Sequence, residues 1–199
     1  MKQDKTSEGY ISNKYLRELV VKFNSMNIND NGKWCDAYEK KMDKKNAKGN
    51  MKIDKYEVSK SFIHRKKQQI AALHARYENF SDEERRAFDA EFEKVKKDIC
   101  EAFLKVIDGR IILYKLVQTP AYEEIDDIRQ EALMSLFTYI NRYDETRNTS
   151  AFAFVTELIS NAMNGYLKKM NQRNAVQITG LDFYENLNTI DDMYGEDND

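Results

Sequence analysis

Phe154, Leu158, Asn161, Gly165 and Lys168 recur every three or four residues in the last third of the chain, the spacing of one helix face. Their chemistry is that of single-strand nucleic-acid recognition, in which rings stack on bases, amides read base edges and ammonium groups hold phosphates. Lys168, Lys169 and Arg173 extend the same end, with no acid from Asn164 through Gly180, and Arg142 and Arg147 flank the preceding polar turn. A second reading stands beside it. The helix is packed on both sides by N-terminal segments, and Lys168 and Lys169 are merely solvated.

Catalysis has no comparable support. The two histidines, His64 and His74, lie ten residues apart, a poor spacing for sharing a metal on one helix. No glycine-rich phosphate loop, Gly-x-Ser-x-Gly elbow or paired-cysteine zinc pattern occurs. The acid pairs Glu123-Glu124 and Asp126-Asp127 fall at a helix N-terminus, where the dipole accounts for them. Neither an enzyme nor a metal or cofactor site is expected.

The elements that must hold these residues are helices. One proline and seven glycines in 199 residues, with 33% of them charged, leave little punctuation for a many-stranded fold. The formal charge of -2 hides a segregation, because seven acids and no base fall between Leu181 and Asp199. The body then carries 32 bases against 27 acids, a pattern compatible with nucleic acid. No apolar run is long enough to span a membrane, and the opening MKQDKTSEGY lacks the apolar stretch of a signal peptide. Cys35 and Cys100 fit reduced thiols in a cytosol.

Ser12 or Asn13 caps a first helix with Leu16, Leu19, Val20 and Phe23 inward, and residues 27–52 read as a linker holding one short helix. A basic helix follows from Tyr56 to Tyr77 with Val58, Phe62, Ile70, Leu73 and Tyr77 inward. Ser81 and Glu84 form a capping box opening a helix that buries Phe88, Phe92, Val95, Ile99, Phe103 and Ile107, with Asp108-Gly109 as a point of interruption. Thr119 before Pro120 is placed as an N-cap, and Ile125 to Ile140 put Ile125, Ile128, Ala132, Leu133, Leu136, Phe137 and Ile140 on one face. The last helix starts near Ser150 with Phe152, Val155, Ile159, Met163, Tyr166 and Met170 inward, and from about Ala175 a mobile acidic tail is the expectation.

The run from Ile125-Asp126-Asp127-Ile128-Arg129-Gln130-Glu131-Ala132-Leu133 through Arg142-Tyr143-Asp144-Glu145-Thr146-Arg147 resembles region two of bacterial sigma factors. The resemblance is closer to the late-transcription sigma factors of T-even-type phages. Tyr143 to Arg147, Ala153-Phe154-Val155-Thr156, Asn161-Ala162 and Leu167-Lys168-Lys169 follow that family's order and spacing, and Tyr10-Ile11-Ser12-Asn13-Lys14 resembles its opening. It covers residues 98–173 continuously and rests on the collinear order of these motifs over that stretch. Glu157-Leu158 stand where housekeeping sigma factors carry paired tryptophans, no helix-turn-helix follows, and the segment from about Ser25 to Lys94 is longer than the phage family leads one to expect.

What the resemblance implies is an all-α, sigma region-two-like bundle with extra N-terminal helices and an acidic C-terminal tail. Its divisions are 1–52, an N-terminal helix and linker; 53–97, additional helices; 98–175, the sigma-like domain; and 176–199, the tail. Asp127, Gln130, Glu131 and Met134 would dock on the clamp helices of the largest subunit of the host RNA polymerase core. Arg142, Tyr143, Arg147, Phe154, Asn161, Asn164, Lys168, Lys169 and Arg173 would contact an AT-rich minus-ten element of promoter DNA, while Phe152 belongs to the core. Ile190, Met193 and Tyr194, or alternatively Leu181, Phe183 and Tyr184, would bind the replication sliding clamp. The setting is a host bacterial cytoplasm, and a late co-activator is a further implied partner. Two alternatives stay open: a polymerase-binding regulator of appropriator or anti-sigma type that does not read DNA, and a helical interaction module whose aromatics are all core.

Overall fold

The computed structural model describes residues 11–116, 120–147 and 149–194, with backbone alone at 120, 122 and from 174 onward. Among them are six α-helices, two short 3-10 segments and no strand. The expected all-α class is what is found.

The helix α1 (Asn13–Met26) starts where the Ser12 hydroxyl accepts from the Tyr15 N–H at 3.2 Å. Its inward residues Leu16, Leu19, Val20, Phe23 and Met26 follow the three-four alternation. The long α4 (Asp82–Leu113) opens with the expected reciprocal capping box between Ser81 and Glu84. It runs unbroken through Gly109, whose flanks Val106, Ile107 and Ile111 are buried. A helical glycine costs only about 1 kcal/mol, less than burying one of these side chains contributes.

After a 3-10 turn over Pro120–Glu124, α5 (Ile125–Tyr139) buries Ile128, Ala132 and Leu136, and Ile140 continues the stripe in a second 3-10 segment, Ile140–Arg142. Thr119, expected as a cap, lies outside the described residues. The last helix, α6 (Ala151–Tyr194), buries Ala151, Val155, Ile159, Met163 and Met170. Its backbone stays helical past position 175, where a mobile tail was expected. The stretch 174–194 contains no proline and one glycine, so nothing in it breaks a helix already begun.

Helices α1, α4, α5 and α6 share one core, with α5 packed on α4 and α6 and α1 packed on α4 and α6. Phe137 ties it together, its ring 5.8 Å from that of Phe23 and 5.6 Å from that of Phe103. Thus α1 belongs to the main bundle, and α4 crosses position 98 without a break.

The segment read as a linker with one short helix holds α2 (Lys33–Ala47), 15 residues long, which pairs with α3 (Ile53–Glu78) as a hairpin. Gly49 closes the turn at φ +66°, a conformation other residues enter only under strain. The hairpin has its own small core of Cys35, Met42, Phe62 and Ile63, with Trp34, Tyr38, Met51, Tyr56 and Ile70 against it. Val58, expected inward, is 56% exposed, because the packed face of α3 runs through Ser59, Phe62, Ile63 and Lys66. Among the described residues no helix is long and apolar enough to cross a membrane.

Candidate nucleic-acid interface

The turn between α5 and α6 is organised by Asp144. Its carboxylate accepts from the Thr146 backbone N–H at 3.1 Å and the Thr146 hydroxyl at 2.7 Å. Arg147 Nε lies 3.2 Å away, and Arg65 Nη2 reaches across from α3 at 2.8 Å. Burial pushes this carboxyl up, but the two Thr146 hydrogen bonds and the Arg65 and Arg147 charges outweigh it and hold it below its ordinary value. Asp144 therefore fastens the α2–α3 hairpin to the bundle as well as folding its own turn.

That attachment creates a groove of about 460 Å³. One wall is Trp34, Tyr38 and Phe62 from the hairpin; the other is Phe154, Glu157, Leu158 and Asn161 of α6, with Ser135 and Tyr139 of α5 and the turn at its end. Arg142 lies 4.4 Å over the Tyr139 ring and 5.9 Å from that of Trp34. Its Nε is buried without a hydrogen-bond partner among the described residues, so aromatic faces surround a charge with a donor to spare there. Arg147 and Arg65 both stand over the Phe62 ring, at 5.8 and 5.9 Å.

The outward row is divided by this arrangement. Phe154 and Leu158 are half-buried and line the groove, while Asn161, also lining it, is exposed at its mouth. Asn164, Gly165 and Lys168 continue along α6 on open surface. Lys169 is exposed and 3.8 Å from Glu131, and Arg173 pairs with Glu124 at 2.9 Å. Tyr143 stands apart from its expected role: it is 2% exposed, its hydroxyl donates to the Thr149 carbonyl at 3.2 Å, and its ring sits 5.5 Å from that of Phe154. It packs against Phe154 and reaches the groove only through a nearly buried ring. Phe152 is half-buried against the core.

On α5, Asp127 and Gln130 are exposed, Met134 is 60% exposed, and Glu131 is half-buried. The structure thus places the acidic, partly apolar face on the helix that packs against α6. Leu181, Phe183, Tyr184, Ile190, Met193 and Tyr194 fall on the helical backbone of α6, and their side chains lie outside the described residues.

Trp34, Tyr38, Phe62, Arg65 and Tyr139 are groove or turn residues that sequence reasoning did not assign to the site. Trp34 and Tyr38, four apart, with Cys35 and Met42, seven apart, carry the helical signal that the lysines between them obscured. Comparison with known families, curated proteins and solved structures finds no match to this chain.

Proposed function

We propose that this chain is a late-type sigma factor of the phage kind, a specificity subunit that docks on host core RNA polymerase and stabilises an unwound AT-rich minus-ten element. The observation that carries the reading is the pairing of two surfaces on packed helices. An aromatic and arginine-rich groove leads onto the open Asn164–Lys168 surface of α6, and an exposed acidic face centred on Met134 lies on α5. The first has the chemistry of base stacking and phosphate contact. The second has the charge and apolar content that suit a basic, partly apolar helical partner.

In this reading Asp127, Gln130, Glu131 and Met134 hold the polymerase clamp helices. A displaced strand runs along α6 over Lys168, Asn164 and Asn161, and one base enters toward Phe154 and Leu158. Arg142 and Arg147 flank the far end, and Tyr143 keeps Phe154 in place. The C-terminal residues supply the sliding-clamp peptide, and a co-activator completes the assembly. The test is run-off transcription with purified bacterial core polymerase on templates carrying AT-rich minus-ten boxes. Discrete start sites that depend on this chain support the reading, and tight core binding without start-site selection rejects it. Removing residues 188–199 abolishes clamp-stimulated transcription and leaves basal initiation; unchanged stimulation rejects the C-terminal clamp site.

One observation favours the alternatives that do not read DNA, the helical interaction module above all: Phe154 and Leu158 are partly covered by neighbours, and Tyr143 is 2% exposed. A regulator would bind core polymerase through α5 and give no crosslink between α6 and single-stranded promoter DNA.

A further inference from the structure

Residues 33–67, which make up α2, the turn after it and the facing half of α3, hold 12 bases against 5 acids, a surplus of seven on one small hairpin. The two signs are sorted. The acids of α2 sit on the edge that meets α3, where Lys67 pairs with Asp36 at 2.7 Å and Glu39 at 2.9 Å and Lys60 lies 3.6 Å from Asp43. Lys33, Lys40, Lys41, Lys44, Lys45 and Lys48 are all exposed and make no ion pair among the described residues. At about 100° per residue these six fall within an arc of about 140°, opposite the buried Cys35 and Met42. The acids that should balance them are already neutralised from the other side, so the outer face keeps its full charge.

We propose that this outer face of α2 is a docking surface for the phosphate backbone of double-stranded DNA. Charge complementarity selects a polyanion, and the geometry selects a stiff one. The helix is about 22 Å long, and Lys40, Lys44 and Lys48 rise about 6 Å from one to the next. A duplex presents one phosphate per about 1.7 Å of its axis, so each ammonium meets one without the helix bending. The exposed residues among the lysines include Ala37 but no large apolar side chain of the sort that enters a lipid interface. Trp34 and Tyr38, at the edge of the face, line the groove instead. Duplex on α2 and a single strand in the groove would be neighbours, an arrangement that holds the boundary between paired and unpaired DNA.

The experiment is fluorescence anisotropy of the full chain with a labelled duplex of mixed sequence, titrated across a range of salt. Lys40→Glu/Lys44→Glu/Lys48→Glu is compared with Lys94→Glu/Lys97→Glu/Lys105→Glu, an equal change of net charge on exposed lysines of α4. The α2 triple should weaken binding at least about tenfold near 0.1 M salt and reduce the slope of log affinity against log salt by about 2 to 3, whereas the α4 triple changes affinity less than about threefold. Lys40→Gln/Lys44→Gln/Lys48→Gln, which adds no acid, is read in the same way if charge reversal unfolds the hairpin. Wild-type affinity in the α2 triple, equal loss in both triples, or loss seen only on phosphatidylserine-containing vesicles overturns the assignment. The choice of DNA as partner rests on the promoter reading, yet the two fail separately. Absent start-site selection with duplex binding intact rejects the promoter role alone, and start-site selection with duplex binding unaffected by the α2 changes rejects this surface alone.

Discussion

Replacing Asp144 by asparagine removes the charge that joins α3 to the turn while keeping the shape of the side chain. The native carboxylate is 9% exposed and meets two guanidinium groups, that of Arg65 being 37% exposed and that of Arg147 45%. Hydrogen bonds to charged groups contribute about 1.5–3 kcal/mol each, but both arginines can return to water and the Thr146 contacts partly survive, so the expected loss is about 2 kcal/mol. With a urea slope of about 2 kcal/mol/M this lowers the unfolding midpoint by about 1 M. The pH dependence has a definite sign. Because the folded carboxyl titrates below its ordinary 3.8, the difference between wild type and variant is complete above that value and closes as pH falls through the lower, folded one. Amides of α3 around Arg65 should exchange faster in the variant. An Asp144→Asn protein whose midpoint stays within about 0.2 M of wild type at neutral pH would refute the assignment of Asp144 as the fastening point.

Three further outcomes are expected. Lys66 is 8% exposed, and burial pushes its ammonium below the usual lysine value against the partial opposition of Glu145 and Asp144. Lys66→Met should therefore stabilise by about 1 kcal/mol at neutral pH, with the gain shrinking as pH rises through the lowered folded value toward 10.5; a lower melting temperature in the variant contradicts this. Met134→Lys should leave thermal stability within about 0.5 kcal/mol, since the side chain is 60% exposed, yet weaken capture of core polymerase at least about tenfold; unchanged capture removes Met134 from the docking face. The Cys35 thiol is fully buried and pushed up to about 11, so a chromogenic disulfide reagent at pH near 8 should titrate Cys100 quickly and Cys35 only on unfolding; two fast thiols contradict the packing of the hairpin.

The helices that could be read from sequence are those whose apolar stripe and cap agree. In α4, Ser81 and Glu84 mark the start, and Phe92, Val95, Ile99 and Phe103 fix the inward face. In α2 only Cys35 and Met42 of 15 residues are buried, too few for periodicity to emerge among lysines. The Asp108-Gly109 pair looked like a stop because local preference weighs against helix there, and long-range packing of Ile107 and Ile111 overrode it. The site was legible along α6, where Phe154, Leu158 and Asn161 share a groove, but its opposite wall lies more than ninety residues away in sequence. Tyr143 shows the limit from the other side: an aromatic beside arginines reads as a contact residue until its hydroxyl is seen bonded to Thr149.

The separation of the hairpin core from the bundle core has a bearing on how the chain tolerates change. Substitutions at Cys35, Met42 or Ile63 and those at Ile128, Leu136 or Ile159 share no buried neighbours, so their effects should sum. The hairpin can then drift, lengthen or be exchanged for another basic appendage while the bundle keeps its inventory, provided an anion remains in the turn to receive it.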